Sequence, residues 1–180
     1  MPEGRKDELL ELAYADVREH GLGQLSLRPL AAAIGSSPRV LLFLFDSKDG
    51  LVRALLARAR QDELRLLSET GPAAGLPQSA AQVWSWLSDP AHRPLLTLWV
   101  EAYPRSLLES DGPWSTFAAA TVTDWLDVLA RAQPAATRDT PAAVAARTAV
   151  LALLRGALLD LLATGDTERT TAAVTAGIHG

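Results

Sequence analysis

The chain contains no cysteine, which excludes disulfide frameworks, thiolate metal sites and cysteine nucleophiles. Its three histidines, His20, His92 and His179, lie too far apart in sequence for metal-ligand spacing. Valine, isoleucine and aromatic residues are sparse, which argues against any sizeable sheet. Lysine is nearly missing: Lys6 and Lys48 stand against fifteen arginines, a bias that, with the alanine excess, marks base composition rather than binding chemistry. No run reaches 18 apolar residues without a charge, so no membrane span is expected. The opening MPEGRKDELLEL has no apolar core of a signal peptide, and a cytoplasmic location is expected. HExxH, GxSxG, Walker A and GxGxxG patterns are all missing. Asp124 and Asp127, at i,i+3 on one helix, read as a surface pair. Neither catalysis nor a metal or other cofactor is therefore expected.

What is abundant points the other way. Alanine and leucine number 32 each, both strong helix formers, so an all-α protein is expected. A length of 180 residues suffices to bury a core without staples. The net charge of −4 does not by itself favour nucleic acid, yet basic groups are denser in the first third. Residues 1–65 are neutral overall, and the whole excess of acid falls in 66–180.

Helical spacing of Leu9, Leu10, Ala13, Tyr14 and Val17 marks a helix over 5–20. Gly21 and Gly23 end it. Ser26 is placed to cap a short helix, Leu27–Ile34, with Pro29 in its first turn. Gly35 breaks that helix, and Ser37 with Pro38 opens a third, Arg39–Phe45. Asp46 or Ser47 caps a fourth, running from Lys48 to about Glu69. The segment TGPAAGLP, 70–77, is the clearest breaker and reads as a joint between helices. Further helices are expected at about 78–88, 94–109, 113–132, 141–163 and 166–177. Pro104 falls inside one of them, where it removes a backbone hydrogen bond and is expected to kink the helix.

The short helix, glycine-containing turn and second short helix of 26–45 have the outline of a helix-turn-helix. The run EHGLGQLSLRPLAAAIGSSPRVLLFLFDSKDGLVRALL, 19–56, closely resembles the N-terminal domain of the TetR family of bacterial transcriptional regulators. Glu19-His20-Gly21, Leu25-Ser26-Leu27-Arg28, Leu30 to Gly35, Ser37, Phe45 and Ser47 to Leu51 carry the likeness, which covers roughly residues 5–60. The resemblance implies a helix-turn-helix DNA-binding domain over 1–47. An effector-binding and dimerisation domain would follow over 48–180, joined to it by the helix 48–69. It implies a ligand-responsive repressor that binds a near-palindromic, double-stranded operator as a homodimer.

Carried over residue by residue, the resemblance makes Ser26 and Arg28 phosphate contacts at a helix N-terminus. It makes Ser36 and Ser37 phosphate or base contacts, although a plain N-cap is the first reading of Ser37. Arg39 becomes a guanine reader, and Val40, Phe43 and Lys48 complete the DNA-binding set. The chain departs from the family where relatives usually carry a tyrosine, at Leu42, and in the apolar run Val40 to Phe45. Leu41 and Phe45 occupy core positions. Phe43 cannot hydrogen-bond a base but can pack on a thymine methyl.

All five tryptophans lie beyond residue 80. Trp84, Trp99, Tyr103, Trp114 and Phe117 are candidate walls of a largely apolar effector pocket, with Glu101 or Arg105 as a polar group, although each aromatic equally suits a core. The family dimer would use the helices at about 113–132 and 141–163, where Ala118, Ala119, Ala145, Ala149 and Gly156 permit close approach. The alternative is a helical dimer that binds protein or small molecules and no longer reads DNA.

Overall fold

The computed structural model describes residues 2–23, 25–68 and 73–179. Among these it has nine α-helices and no strand. They are α1 (Pro2–His20), α2 (Leu27–Ala33), α3 (Pro38–Phe45), α4 (Lys48–Ser68), α5 (Leu76–Ser88), α6 (Arg93–Leu108), α7 (Phe117–Arg131), α8 (Pro141–Thr164) and α9 (Thr167–His179). A 3₁₀ turn at Pro90–His92 precedes α6. The all-α expectation holds, with most helix ends within a few residues of those read from the sequence. Glu69 and residues 70–72 of the expected joint lie outside the described residues.

The ends that differ have local causes. Helix α1 begins at Pro2, earlier than the periodicity marks, because proline suits a first turn. Helix α7 begins at Phe117, not near 113. The Ser106 hydroxyl of α6 accepts from the Ala118 amide at 2.9 Å, satisfying a first-turn donor there. Ser37 caps α3 by accepting from Val40 N at 3.3 Å. Ser26 holds the cap position of α2 with extended backbone, but its hydroxyl takes no helix amide. Of the two candidate caps for α4, Ser47 does the work, accepting from Gly50 N at 2.9 Å. Asp46 instead ends α3 with φ 65°, and the Ser47 amide donates back to the Phe45 carbonyl across it at 2.8 Å.

The chain forms two compact units, Met1–Glu63 with Pro94–Thr121, and Leu64–Arg93 with Val122–Gly180. They are cut differently from the 1–47 and 48–180 division that the resemblance implies. In the first unit, Leu9, Ala13 and Val17 of α1 join Leu30 of α2, Leu41 and Phe45 of α3, and Leu51 and Leu55 of α4 in one buried core.

In the second unit, α8 and α9 pack on each other and on α5. The Trp84 indole donates to Thr171 Oγ1 at 3.0 Å, tying α5 to α9. Arg169 makes two 2.7 Å hydrogen bonds to the Asp160 carboxylate across the α8–α9 turn. Helix α8 is long and apolar enough by length and composition to cross a membrane, with 22% of its apolar window buried. The sequence criterion of an uncharged run missed it because Arg147 and Arg155 interrupt it. Its exposed positions include Ala145, Ala149, Ala152, Gly156, Leu159 and Ala163, which follow one helical face.

Candidate DNA-binding interface and effector cavity

The axes of α2 and α3 turn through 101°, within the roughly 90–120° of a helix-turn-helix. Gly35 makes the turn with φ 65°, a left-handed conformation that costs a residue with a side chain about 1–2 kcal/mol. Gly50 is required for a different reason: a Cβ there would sit 1.9 Å from the Phe45 carbonyl oxygen. The α3–α4 junction therefore closes in this form only on glycine.

Helix α3 has two opposite faces. Leu41 and Phe45 are buried, and Arg39 and Phe43, an i,i+4 pair, point away from them into solvent. Val40 and Leu42 flank the outer face at 39% and 40% exposure, and Phe43 is 78% exposed. Ser26, Arg28 and Lys48 are exposed and Ser37 is half-buried. Ser36 keeps its hydroxyl inward, where Oγ is buried without a hydrogen-bond partner; its amide donates to Ala31 O at 2.8 Å.

The cations sort into two groups. Arg5, Arg18 and Arg58 are held by Glu8, Asp62 and Glu11. Among the described residues, Arg28, Arg39 and Lys48 form no ion pair, and neither does Arg53 further along α4, which the sequence reading did not single out. Lys6 of α1 and Arg105 of α6 also lack an ion pair, and each lies over an aromatic ring, Phe45 and Trp114. Over 26–53 the four unpaired cations stand against two exposed carboxylates, Asp46 and Asp49.

A small cavity of about 10 Å³ lies in the same unit, between Leu56, Ala59, Arg60 and Glu63 of α4, Leu95, Leu96, Leu98 and Trp99 of α6, and Phe117. This is room for one water. Of the aromatics picked out from the sequence, Trp99 and Phe117 line it. Tyr103 packs on Trp99 with ring centroids 4.7 Å apart, one step back from the wall. Trp114 is buried beneath Arg105, whose guanidinium lies 4.8 Å from its ring centroid. Trp84 is in the other unit, bound to Thr171.

Two of the helices that wall the cavity hold α1 and the α1–α2 turn. On α4, Asp62 is buried and accepts from the Tyr14 hydroxyl of α1 at 3.1 Å. Arg58, next to it, donates to Glu11 at 2.5 and 3.0 Å. Burial first, and then the Asp62 charge and hydrogen bond, push the Tyr14 hydroxyl well above its ordinary pKa. On α6, Glu101 accepts from the amides of Leu22 at 2.6 Å and Gly23 at 3.2 Å, and Arg105 reaches the Gly23 carbonyl at 3.5 Å. Glu101 and Arg105 thus hold the α1–α2 turn instead of lining the cavity. Nothing local in the sequence marks this, since the partners are about eighty positions apart and pair only through the fold. Among the described residues, no group of three or more His, Asp or Glu could hold a metal.

No protein-family model and no curated protein matches the chain. Solved structures do. One is described as a TetR-family transcriptional regulator from Rhodococcus sp., with TM-score 0.75 and 19% identity, covering 98% of this chain and 97% of that one. A TetR transcription regulator from Haloarcula marismortui gives TM-score 0.69 at 19% identity, over 98% and 96%. The multidrug binding protein EbrR in complex with proflavin gives 0.70 at 22% identity, over 96% and 99%. Matches spanning nearly the whole of both chains mean that this chain has the fold of the TetR-family transcriptional regulators.

Proposed function

We propose that the chain is a ligand-responsive transcriptional regulator of the TetR family, a repressor that binds a near-palindromic operator as a homodimer and leaves it when a small, largely apolar effector binds. The observation that carries this is the outer face of α3, with Arg39 on it and Arg28 and Lys48 on the neighbouring helices, all exposed and in no ion pair. A folded protein gains little stability from leaving these charges and Phe43 in water; a duplex supplies phosphates for the first and base edges for the second. Ser26, Arg28 and Lys48 take phosphates, with Ser37 and Arg53 beside them. Arg39 takes guanine, and Val40 and Phe43 meet base edges. Ser36 contributes through its backbone, its hydroxyl being turned inward.

The exposed small-residue face of α8 supports dimerisation, with α7 as the second helix of each subunit's contribution. A second copy on that face would cover the apolar surface the single chain leaves in water. The resemblance to the family implies that a dimer presents two such α3 helices about 34–36 Å apart, on half-sites one turn of DNA apart.

The effector reading rests on the cavity. Drug-sized ligands need a pocket of roughly 300–1,000 Å³, so binding at this cavity must part α4 from α6 near Trp99 and Phe117. Those helices hold α1 through Asp62–Tyr14 and the α1–α2 turn through Glu101. Parting them therefore shifts the reading head, and the effector acts by favouring that parted arrangement over the one fitted to the operator. The proflavin complex of EbrR is of that protein; here it supports an aromatic, flat ligand as the first class to screen.

Selection of binding sites from random duplex DNA at two salt concentrations tests the reading. A near-palindrome enriched at low salt and lost at high salt is expected. Exposed Phe43 and Leu42 favour the other reading, a protein-binding head. No enrichment from a folded dimer, with association lost on Leu42→Asp, would establish it instead.

A further inference from the structure

We propose that Phe43 is a specificity-determining residue that reads the C5 methyl group of a pyrimidine, thymine in ordinary DNA, in the major groove; this deepens, and rests on, the DNA-binding reading of α3. The ring is 78% exposed at the centre of the face opposite Leu41 and Phe45, so the core does not hold it. Its companion one turn earlier, Arg39, is the only side chain on that outer face able to donate a hydrogen bond. A phenyl ring offers no donor or acceptor to the N7, O6, N6 or N4 edges of bases. The one apolar group the major groove presents is the C5 methyl, and packing there removes both surfaces from water.

The occupant is identified by its surroundings. Arg28, Arg39, Lys48 and Arg53, on α2, α3 and α4, are exposed and form no ion pair, and they outnumber the exposed carboxylates Asp46 and Asp49 of the same stretch, a balance that suits a polyanion. An apolar protein groove would leave those charges desolvated and unpaired. Arg39 and Phe43, one turn apart on one face, together read a guanine and a nearby methyl-bearing pyrimidine. Leu42 and Val40, partly exposed beside them, exclude water from that contact.

The test uses the full-length protein and the duplex enriched by site selection. Each thymine is replaced in turn by deoxyuridine, which deletes only the methyl, and affinity is measured for the wild type, Phe43→Ala and Phe43→Leu. One symmetry-related pair of thymines is expected to matter. Deleting one methyl should weaken wild-type binding about fourfold, and deleting both more than tenfold. Phe43→Ala should lose this dependence and bind the thymine and deoxyuridine duplexes alike, and Phe43→Leu should keep part of it. Cytosine at the same position should bind weakly and 5-methylcytosine should recover part of the loss. Tight wild-type binding with no methyl dependence, or with one that Phe43→Ala retains, overturns the inference and leaves the DNA reading standing. Failure of the wild type to enrich any duplex overturns both. Because Phe43 is exposed, Phe43→Ala is expected to keep the wild-type circular dichroism and melting temperature.

Discussion

Gly50 illustrates how one side chain can be excluded by a single backbone atom. A methyl group there would meet the Phe45 carbonyl oxygen at 1.9 Å, and the neighbour that must yield is main chain at the end of α3. Gly50→Ala is therefore expected to lower stability by about 2–3 kcal/mol, read by urea unfolding, and to weaken DNA binding beyond what the stability loss accounts for, because α3 is re-aimed. A folded Gly50→Ala with wild-type affinity would mean the junction does not set the pose of α3. Tyr14 gives a second test. Its hydroxyl is held protonated far above the ordinary value of 10.0, so the folded state keeps a proton that the unfolded chain releases. That advantage is complete below pH 10 and is lost as pH rises above it. Wild-type stability should fall between pH 10 and 11 more steeply than that of Tyr14→Phe, which in turn should be about 1 kcal/mol less stable at neutral pH.

Among the elements, the helices themselves were legible in the sequence because their signals are local. Ser37-Pro38 opens α3, Gly35 breaks before it, and the Leu41–Phe45 spacing marks its buried side, as the structure bears out. The same holds for the outer face of α3, where exposure follows from helical phase alone. What the sequence could not place was whatever depends on distant partners. The sequence offers Glu101 or Arg105 as a polar group of the pocket, but Glu101 holds the Leu22 and Gly23 amides and Arg105 reaches the Gly23 carbonyl. The aromatics looked alike in sequence, yet only Trp99 and Phe117 border the cavity. The Glu101 contact is testable by hydrogen exchange. Glu101→Ala should speed exchange of the Leu22 amide at least tenfold, a charged acceptor being worth roughly 1.5–3 kcal/mol, and leave amides within α3 unchanged. If Leu22 exchange is unaffected, α6 does not clamp the α1–α2 turn, and the proposed route from cavity to reading head loses one of its two arms.

At the scale of the whole molecule the open matter is what covers α8. Its exposed positions 145, 149, 152, 156, 159 and 163 carry only alanine, glycine and one leucine, and little of its apolar window is buried within the chain. A bilayer is a poor account of this, since Arg147 and Arg155 lie mid-helix and a charged side chain at a bilayer centre costs about 2.5–3.5 kcal/mol. A second copy is the better one, because small residues let two helices approach closely and a twofold axis pairs the same face with itself. Ala152→Glu tests it. The position is exposed, so the single chain should fold unchanged. In a dimer the substitution brings two carboxylates together in an apolar seam, a like-charge contact costing several kcal/mol. Sedimentation should then show a wild-type dimer and a folded Ala152→Glu monomer. The monomer should bind a single half-site as the wild type does, yet lose the gain that the near-palindrome gives two linked heads, commonly a hundredfold or more. A dimer that survives Ala152→Glu would move the interface off this face of α8 and leave the exposed small-residue stripe without a partner.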